Sequence, residues 1–224
     1  MKIQPQPKQK QYLRTNADVA IFGGSAGGGK SFSTLLNPLY GINNGGFNSV
    51  IFRRTSKQIT NSGALWEESY SLYPHAHAVP TKTNLMWRFP SGAQVQMSHL
   101  EREDDKYNWQ GTAICQVQFE EMTQFTEGQI WYLMSRNRSS CGIKPTFRGT
   151  CNPDPDHMVR DLIDWYIGPD GYAIPERSGV IRFFARDGDK ILWGNSQSEL
   201  LQAHKKLKKI DIKSFTFITS TLYD

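Results

Sequence analysis

The chain has 224 residues, 38% of them hydrophobic, enough to bury a core without disulfide or metal staples. No run approaches the roughly 18 apolar residues of a membrane span, and the polar start Met1–Lys10 is unlike a secretory leader. The net charge of +5 is spread along the chain, so it permits a polyanionic partner without specifying one.

Short β-rich runs alternate with helical stretches, the pattern of an α/β fold with a mostly parallel sheet. Asp18–Phe22 is an apolar strand running into glycines. Lys30–Tyr40 follows as a helix, stopped by Gly41 and the turn from Asn43 to Gly46. Ser49–Arg53 is the second strand, and Ser56–Tyr73 is mostly helical up to Pro74. Asn84–Pro90 and Ala93–Ser98 read as a hairpin. Ile114–Phe119 is the next strand, with a helix from Glu127 to Arg138 after it. Thr146–Thr150 is a strand ending at Cys151-Asn152-Pro153. Beyond Pro155, His157–Ile167 is an amphipathic helix, and Val180–Arg186 with Lys190–Trp193 a hairpin. Ser196–Lys209 reads as a helix ending in lysines, and Ser214–Thr219 as a last strand. The expected division is a core over 1–153 and a small lid over 154–224. Cys115, Cys141 and Cys151 lack metal-binding spacing and read as reduced thiols of a cytoplasm.

Gly24-Ser25-Ala26-Gly27-Gly28-Gly29-Lys30-Ser31 satisfies the P-loop pattern G-x-x-x-x-G-K-[ST] in full, between a strand and a helix. Glycines let consecutive backbone N–H groups converge on phosphate oxygens, and the helix N-terminus adds partial positive charge. Lys30 is expected to reach the β- and γ-phosphates of ATP and the Ser31 hydroxyl to hold Mg²⁺, with Phe32 completing the loop. A chance glycine-rich turn is the alternative, and the strand–loop–helix context speaks against it.

Ile114–Phe119 ends in two carboxylates. A P-loop enzyme needs one acid to orient Mg²⁺ and one to polarise the attacking water. Neighbouring residues at the C-terminal end of a strand diverge, and in a parallel sheet that end faces the ligand. Glu120 is therefore assigned to the metal, through water, and Glu121 to the base. A plain helix start with acids in its first turn is the competing account. Asn152, at the end of the next strand, is placed to sense the γ-phosphate and relay its loss; an Asx-Pro turn is the bland reading.

Together these residues resemble the ATPase region of the large terminase subunit, the DNA-packaging motor of tailed bacteriophages. Gly23–Ser31, Val50–Thr55, Gln110-Gly111 ahead of Ile114–Glu121, Thr150–Pro153 with His157, and the ending Ser214–Asp224 carry the likeness. The resemblance implies a P-loop ATPase core driving double-stranded DNA into a procapsid, with ATP and Mg²⁺ as cofactors. It implies a homo-oligomeric ring, portal and small-subunit partners, and the host cytoplasm rather than a membrane. It makes Thr150, Cys151 and Asn152 the coupling motif and Gln9 an adenine contact. Three departures stand out. The metal acid is Glu120 rather than Asp, Gly27 replaces a basic P-loop residue, and the family's nuclease domain would follow residue 224, so no nuclease activity is expected of this chain.

A charge-stabilising arginine must then come from elsewhere. Arg102, Arg136 and Arg138 are the finger candidates, Arg102 lying in the charge run before the acidic strand. Solvated or ion-paired arginines are the plainer reading. Arg53-Arg54 leaves its strand beside the P-loop edge as a structural pair. The run from His204 to Lys209 either meets DNA phosphates or complements a helix C-terminus. Rival functions are another P-loop nucleic-acid translocase, helicase-like, and a nucleotide-binding assembly switch with little turnover.

Overall fold

The structure is a computed structural model that describes residues 4–24 and 27–220. Helix α1 (Pro7–Arg14) leads into strand β1 (Val19–Gly24) and helix α2 (Lys30–Leu36). Strand β2 (Asn48–Arg53), helices α3 (Lys57–Thr60) and α4 (Leu65–Ser69), and strands β3 (Val79–Thr81), β4 (Met86–Arg88) and β5 (Gln94–His99) follow. Next come β6 (Gln116–Phe119), α5 (Glu127–Arg136), β7 (Thr146–Cys151) and α6 (Met158–Ile163). The chain continues through β8 (Arg182–Asp187), β9 (Lys190–Gly194), α7 (Gln197–Ala203) and β10 (Lys213–Ser220). None of the described helices is long and apolar enough to cross a membrane.

The strands form one ten-stranded sheet among the described residues, ordered β3-β4-β5-β2-β6-β7-β1-β10-β8-β9. From β5 to β10 every pairing is parallel. Antiparallel hairpins extend both ends, β3 and β4 beyond β5, and β8 and β9 beyond β10. The sheet therefore runs across residue 153: the last strand, β10, pairs with β1, residue Gly24 opposite Ser220.

Parallel strands buried on both faces read as near-continuous apolar runs, and Val19–Phe22 is buried throughout. Successive side chains then serve opposite layers. Phe52 joins Val117, Phe119 and Phe147 against Ile130 and Leu133 of α5 and Val159 of α6. Ile51 joins Val95 and Met97 against Leu35 of α2 and Trp66 of α4. Each such side chain contributes about 1.5–3 kcal/mol through burial. Gln116 of β6 turns to the α2 layer, where its amide donates to Asn37 (2.7 Å) and accepts from the Ser49 hydroxyl (2.9 Å). Those bonds let a buried strand keep a glutamine.

The expected helix Ser196–Lys209 stops at Ala203, because four lysines at close helical spacing repel one another and His204 leaves helical geometry. Lys205, Lys206, Lys208 and Lys209 are therefore exposed chain beyond the helix, and a helix C-terminus does not account for them. The expected Ser56–Tyr73 helix breaks into α3 and α4 around Gly63, whose φ of 75° no helix admits. The Asn84–Pro90 strand shortens to β4, since Leu85 is left-handed at φ 47°.

Candidate active site

β1, β7 and β6 end side by side, and three turns leave those ends. The first is the P-loop. Gly24 has no room for a side chain: a Cβ there would lie 1.9 Å from the Ser220 carbonyl of β10. Gly29 adopts φ 64° as the N-cap of α2 and no capping side chain bonds there, so the helix start points at the P-loop, where an anion is favoured. Lys30 is buried, and its ammonium donates to the Gly24 carbonyl at 3.0 Å and to Asn152 Oδ1 at 2.8 Å. Gly28 is buried, Gly27 is an exposed turn, and the Phe32 side chain packs into the α2-side core. Ser25 and Ala26 lie outside the described residues.

The second turn follows β6. Glu120 is buried and makes an ion pair with Arg53, the last residue of β2, at 3.6 Å. Burial pushes its carboxyl above the ordinary carboxylate range; Arg53 and the Ser31 hydroxyl offset part of that by favouring the charged form. One carboxylate oxygen, Oε2, and Arg53 Nε have no hydrogen-bond partner although both are buried. Such orphans are expensive unless another group completes the site. The donor set suits Mg²⁺, which takes one or two protein oxygens and fills its shell with water and phosphate. Among the described residues no group of three or more His, Cys, Asp or Glu side chains forms a metal cage.

Glu121 is half-buried and left-handed, at φ 55° and ψ 61°. A non-glycine residue there carries about 1–2 kcal/mol of strain. The turn is held because its N–H donates to Thr150 Oγ1 of β7 at 3.1 Å. Strain swings consecutive carboxylates apart, Glu120 inward and Glu121 to the half-open edge.

The third turn leaves β7. Thr150 holds Glu121, Asn152 holds Lys30, and the Asn152 carbonyl accepts from Thr123 at 3.5 Å. The tip of β7 thus contacts the P-loop and the acid turn together. His157 accepts from Val159 N–H through Nδ1 (3.2 Å), capping α6, and its Nε2 reaches the Phe125 carbonyl (2.7 Å). Cys151 is an inert neighbour, its buried thiol pushed up to about 12.

Gln9 reaches the P-loop from α1. Its Nε2 donates to the Gly29 carbonyl (3.0 Å), bracing the P-loop, and its Oε1 accepts from Gln6 N–H (2.9 Å) at the start of α1. Of the arginines, Arg102 is exposed just past the C-terminal end of β5, the end of the sheet that carries the P-loop. Arg138 donates to the Gly111 and Thr112 carbonyls before β6, at the opposite end, and Arg136 lies over the Tyr132 ring. The Arg53–Glu120 pair was not read as part of the site from the sequence. The available signal was a charged residue closing an apolar strand beside the acid strand.

A family profile described as terminase large subunit, T4-like-virus type, N-terminal, matches residues 21–224. In fold, the large terminase of a thermophilic bacteriophage superposes with TM-score 0.62 at 13% identity, over 99% of this chain and 47% of that one. Its ADP complex gives 0.55 at 14% identity, over 97% and 46%. A variant of the Thermus phage P74-26 large terminase ATPase domain gives 0.58 at 11%, over 99% and 83%. The N-terminal domain of the DNA packaging ATPase from bacteriophage phi29 gives 0.52 at 11%, over 82% and 93%. The chain thus spans about half the length of the thermophilic-phage terminase. No curated protein matches it by sequence. A P-loop at the end of β1, acids at the end of the second strand over and a profile match across nearly all residues lead to one assignment: the chain belongs to the family of large terminase subunits, T4-like-virus type, N-terminal region.

Proposed function

We propose that this chain hydrolyses ATP as the motor domain of a phage DNA-packaging machine. The observation that carries the proposal is the convergence of Lys30, Glu120, Glu121 and Asn152 at the ends of three adjacent parallel strands. The ADP complex of the thermophilic-phage terminase supports nucleotide as the ligand, and the phi29 packaging ATPase supports the motor reading.

Lys30 and the α2 N–H groups would bind the β- and γ-phosphates. Ser31 and Glu120 would hold Mg²⁺, which supplies charge neutralisation of the phosphates. Glu121 would orient the attacking water and take its proton on the carboxylate. Asn152 would lose or regain Lys30 as phosphate arrives and departs, and Thr150 would carry that change to Glu121. Arg102 of a neighbouring subunit is the proposed finger, in a homo-oligomeric ring on double-stranded DNA with portal and small-subunit partners. The exposed lysines from Lys205 to Lys209 suit phosphate-backbone contact.

Phosphate release from MgATP, with and without duplex DNA, tests the proposal. Turnover that rises with DNA and vanishes in Lys30→Ala is expected. Undiminished release in Lys30→Ala contradicts it. ATP binding without turnover, in the presence of DNA, favours the assembly-switch reading.

A further inference from the structure

Cys115 and Cys141 are free thiols, and their sulfur atoms lie 3.4 Å apart. We infer that the pair is an oxidation site: Cys141 attacks hydrogen peroxide, Cys115 resolves the product, and a disulfide closes between β6 and the turn before β7. The pair stands apart from the ATPase reading, because Cys115 precedes β6 at one end and Glu120 follows it at the other.

The fold fixes one sulfur and leaves the other adjustable. Cys115 is buried, its N–H donating to Asn48 Oδ1 (2.8 Å) and its carbonyl accepting from Thr146 N–H (2.9 Å). Cys141 is half-buried in the irregular segment between α5 and β7, next to Gly142 at φ 81°. Closure asks the two sulfurs to approach by little more than an ångström. A turn outside the sheet supplies that shift at less cost than a central strand.

Ser139 decides which thiol reacts first. Its hydroxyl oxygen accepts from the Cys115 thiol (3.4 Å) and from Cys141 N–H (3.3 Å). A hydroxyl has one proton to give, and the remaining neighbour is Cys141 Sγ at 3.3 Å. Burial works against a Cys141 thiolate, but the bonds from Ser139 and the Ile143 N–H outweigh it and hold the thiol below its ordinary range. Burial pushes the Cys115 thiol up. The more open sulfur therefore loses its proton first, as an attacking cysteine must, with the resolving one beneath it. Cys151 has neither a neighbouring thiol bond nor exposure, and serves as an internal control.

The chemistry balances with peroxide as the oxidant. The Cys141 thiolate attacks one peroxide oxygen, the O–O bond breaks, and hydroxide leaves to take up the proton that the thiol released. Cys141 is then a sulfenic acid. Cys115 sulfur attacks Cys141 sulfur, the S–S bond forms, the S–O bond breaks, and the oxygen departs as water with the Cys115 proton. Two sulfurs lose two electrons between them, and one peroxide becomes two waters.

Peroxide treatment of the purified chain, followed by iodoacetamide under denaturing conditions and peptide mass mapping, tests the inference. A peptide pair joined through Cys115 and Cys141, two hydrogens lighter, is expected, with Cys151 alkylated. Cys141 should lose its free thiol about tenfold sooner than Cys151, and dithiothreitol should restore both members of the pair. In Cys115→Ser the resolving step is gone, so dimedone should trap a sulfenic acid on Cys141. If that buried replacement fails to fold, Cys141→Ser on the open turn should leave Cys115 alkylated and uncrosslinked. Both thiols still alkylated after prolonged exposure overturns the inference. Overoxidised Cys141 beside a free Cys115, or a disulfide joining two chains, overturns it equally.

Discussion

Lys30 Nζ donates to Asn152 Oδ1 across 2.8 Å, so the P-loop lysine and the tip of β7 share a contact that a phosphate would contest. An amide is a mild competitor for an ammonium; a carboxylate is a strong one, and it also repels phosphate. Asn152→Asp should therefore weaken ATP by about tenfold or more while weakening ADP less, because the γ-phosphate comes nearest the new charge. Asn152→Ala should keep ATP affinity and slow turnover. Calorimetric titration with both nucleotides checks this, and an equal loss for ATP and ADP in Asn152→Asp counts against a γ-phosphate sensor.

Glu120 is a buried acid whose pKa is raised chiefly by burial. The folded state therefore holds its proton more tightly than the unfolded state. The resulting stabilisation is fully present below the unfolded pKa and is lost as pH rises through the folded one. Glu120→Gln removes that loss, and Arg53, 17% exposed, retains water when its partner goes. At neutral pH the variant should melt a few degrees above the wild type, with the gap closing towards pH 4. A melting temperature below wild type at pH 7 would mean that the Arg53 pair outweighs desolvation.

The left-handed backbone of Glu121 gives a test free of ligands. At an ordinary position glycine is less stable than alanine; at φ 55° the order inverts. Glu121→Gly should exceed Glu121→Ala in unfolding free energy by about 1 kcal/mol, read from denaturant titrations. Alanine equal to or better than glycine would remove the strained-turn account.

Much of this arrangement was legible because it is local. The P-loop is one contiguous motif, β1 announces itself as an apolar run into glycine, and β6 and β7 as short β-rich runs followed by Glu120 and Asn152. The polar contacts that tie them together are not local. Gln9 meets Gly29, and Arg53 meets Glu120, only because the strand order sets β2 beside β6 and α1 against the P-loop. The sequence around Gln9 carries no trace of Gly29, and that around Arg53 shows only a charge closing an apolar strand, not which acid it meets. The lysine run misled for a different reason: helical propensity continued through it, while charge repulsion ended α7 at Ala203.

Arg102 is exposed at the sheet end that carries the P-loop. If it serves a neighbour's site, the rate per subunit should rise with protein concentration, since fingers in trans contribute about 10³–10⁵ in rate. An Arg102→Ala chain mixed with Glu121→Gln should recover activity that neither shows alone, because the intact arginine of one completes the intact base of the other. A specific rate flat across a wide dilution series, with no recovery on mixing, would remove the finger from Arg102.

The separation of binding from chemistry at Glu121 tests the central claim most directly. Glu121→Gln keeps the size of the side chain and its backbone bond to Thr150, and removes only the proton acceptor. Affinity for MgATP, measured by titration, and phosphate release, measured on the same protein under DNA-stimulated conditions, should part company. The account predicts wild-type affinity with turnover lowered about 10²–10⁴-fold, the usual cost of losing a general base. Turnover within a few-fold of wild type would contradict it, and the loss appearing in Glu120→Gln instead would exchange the roles of the two acids.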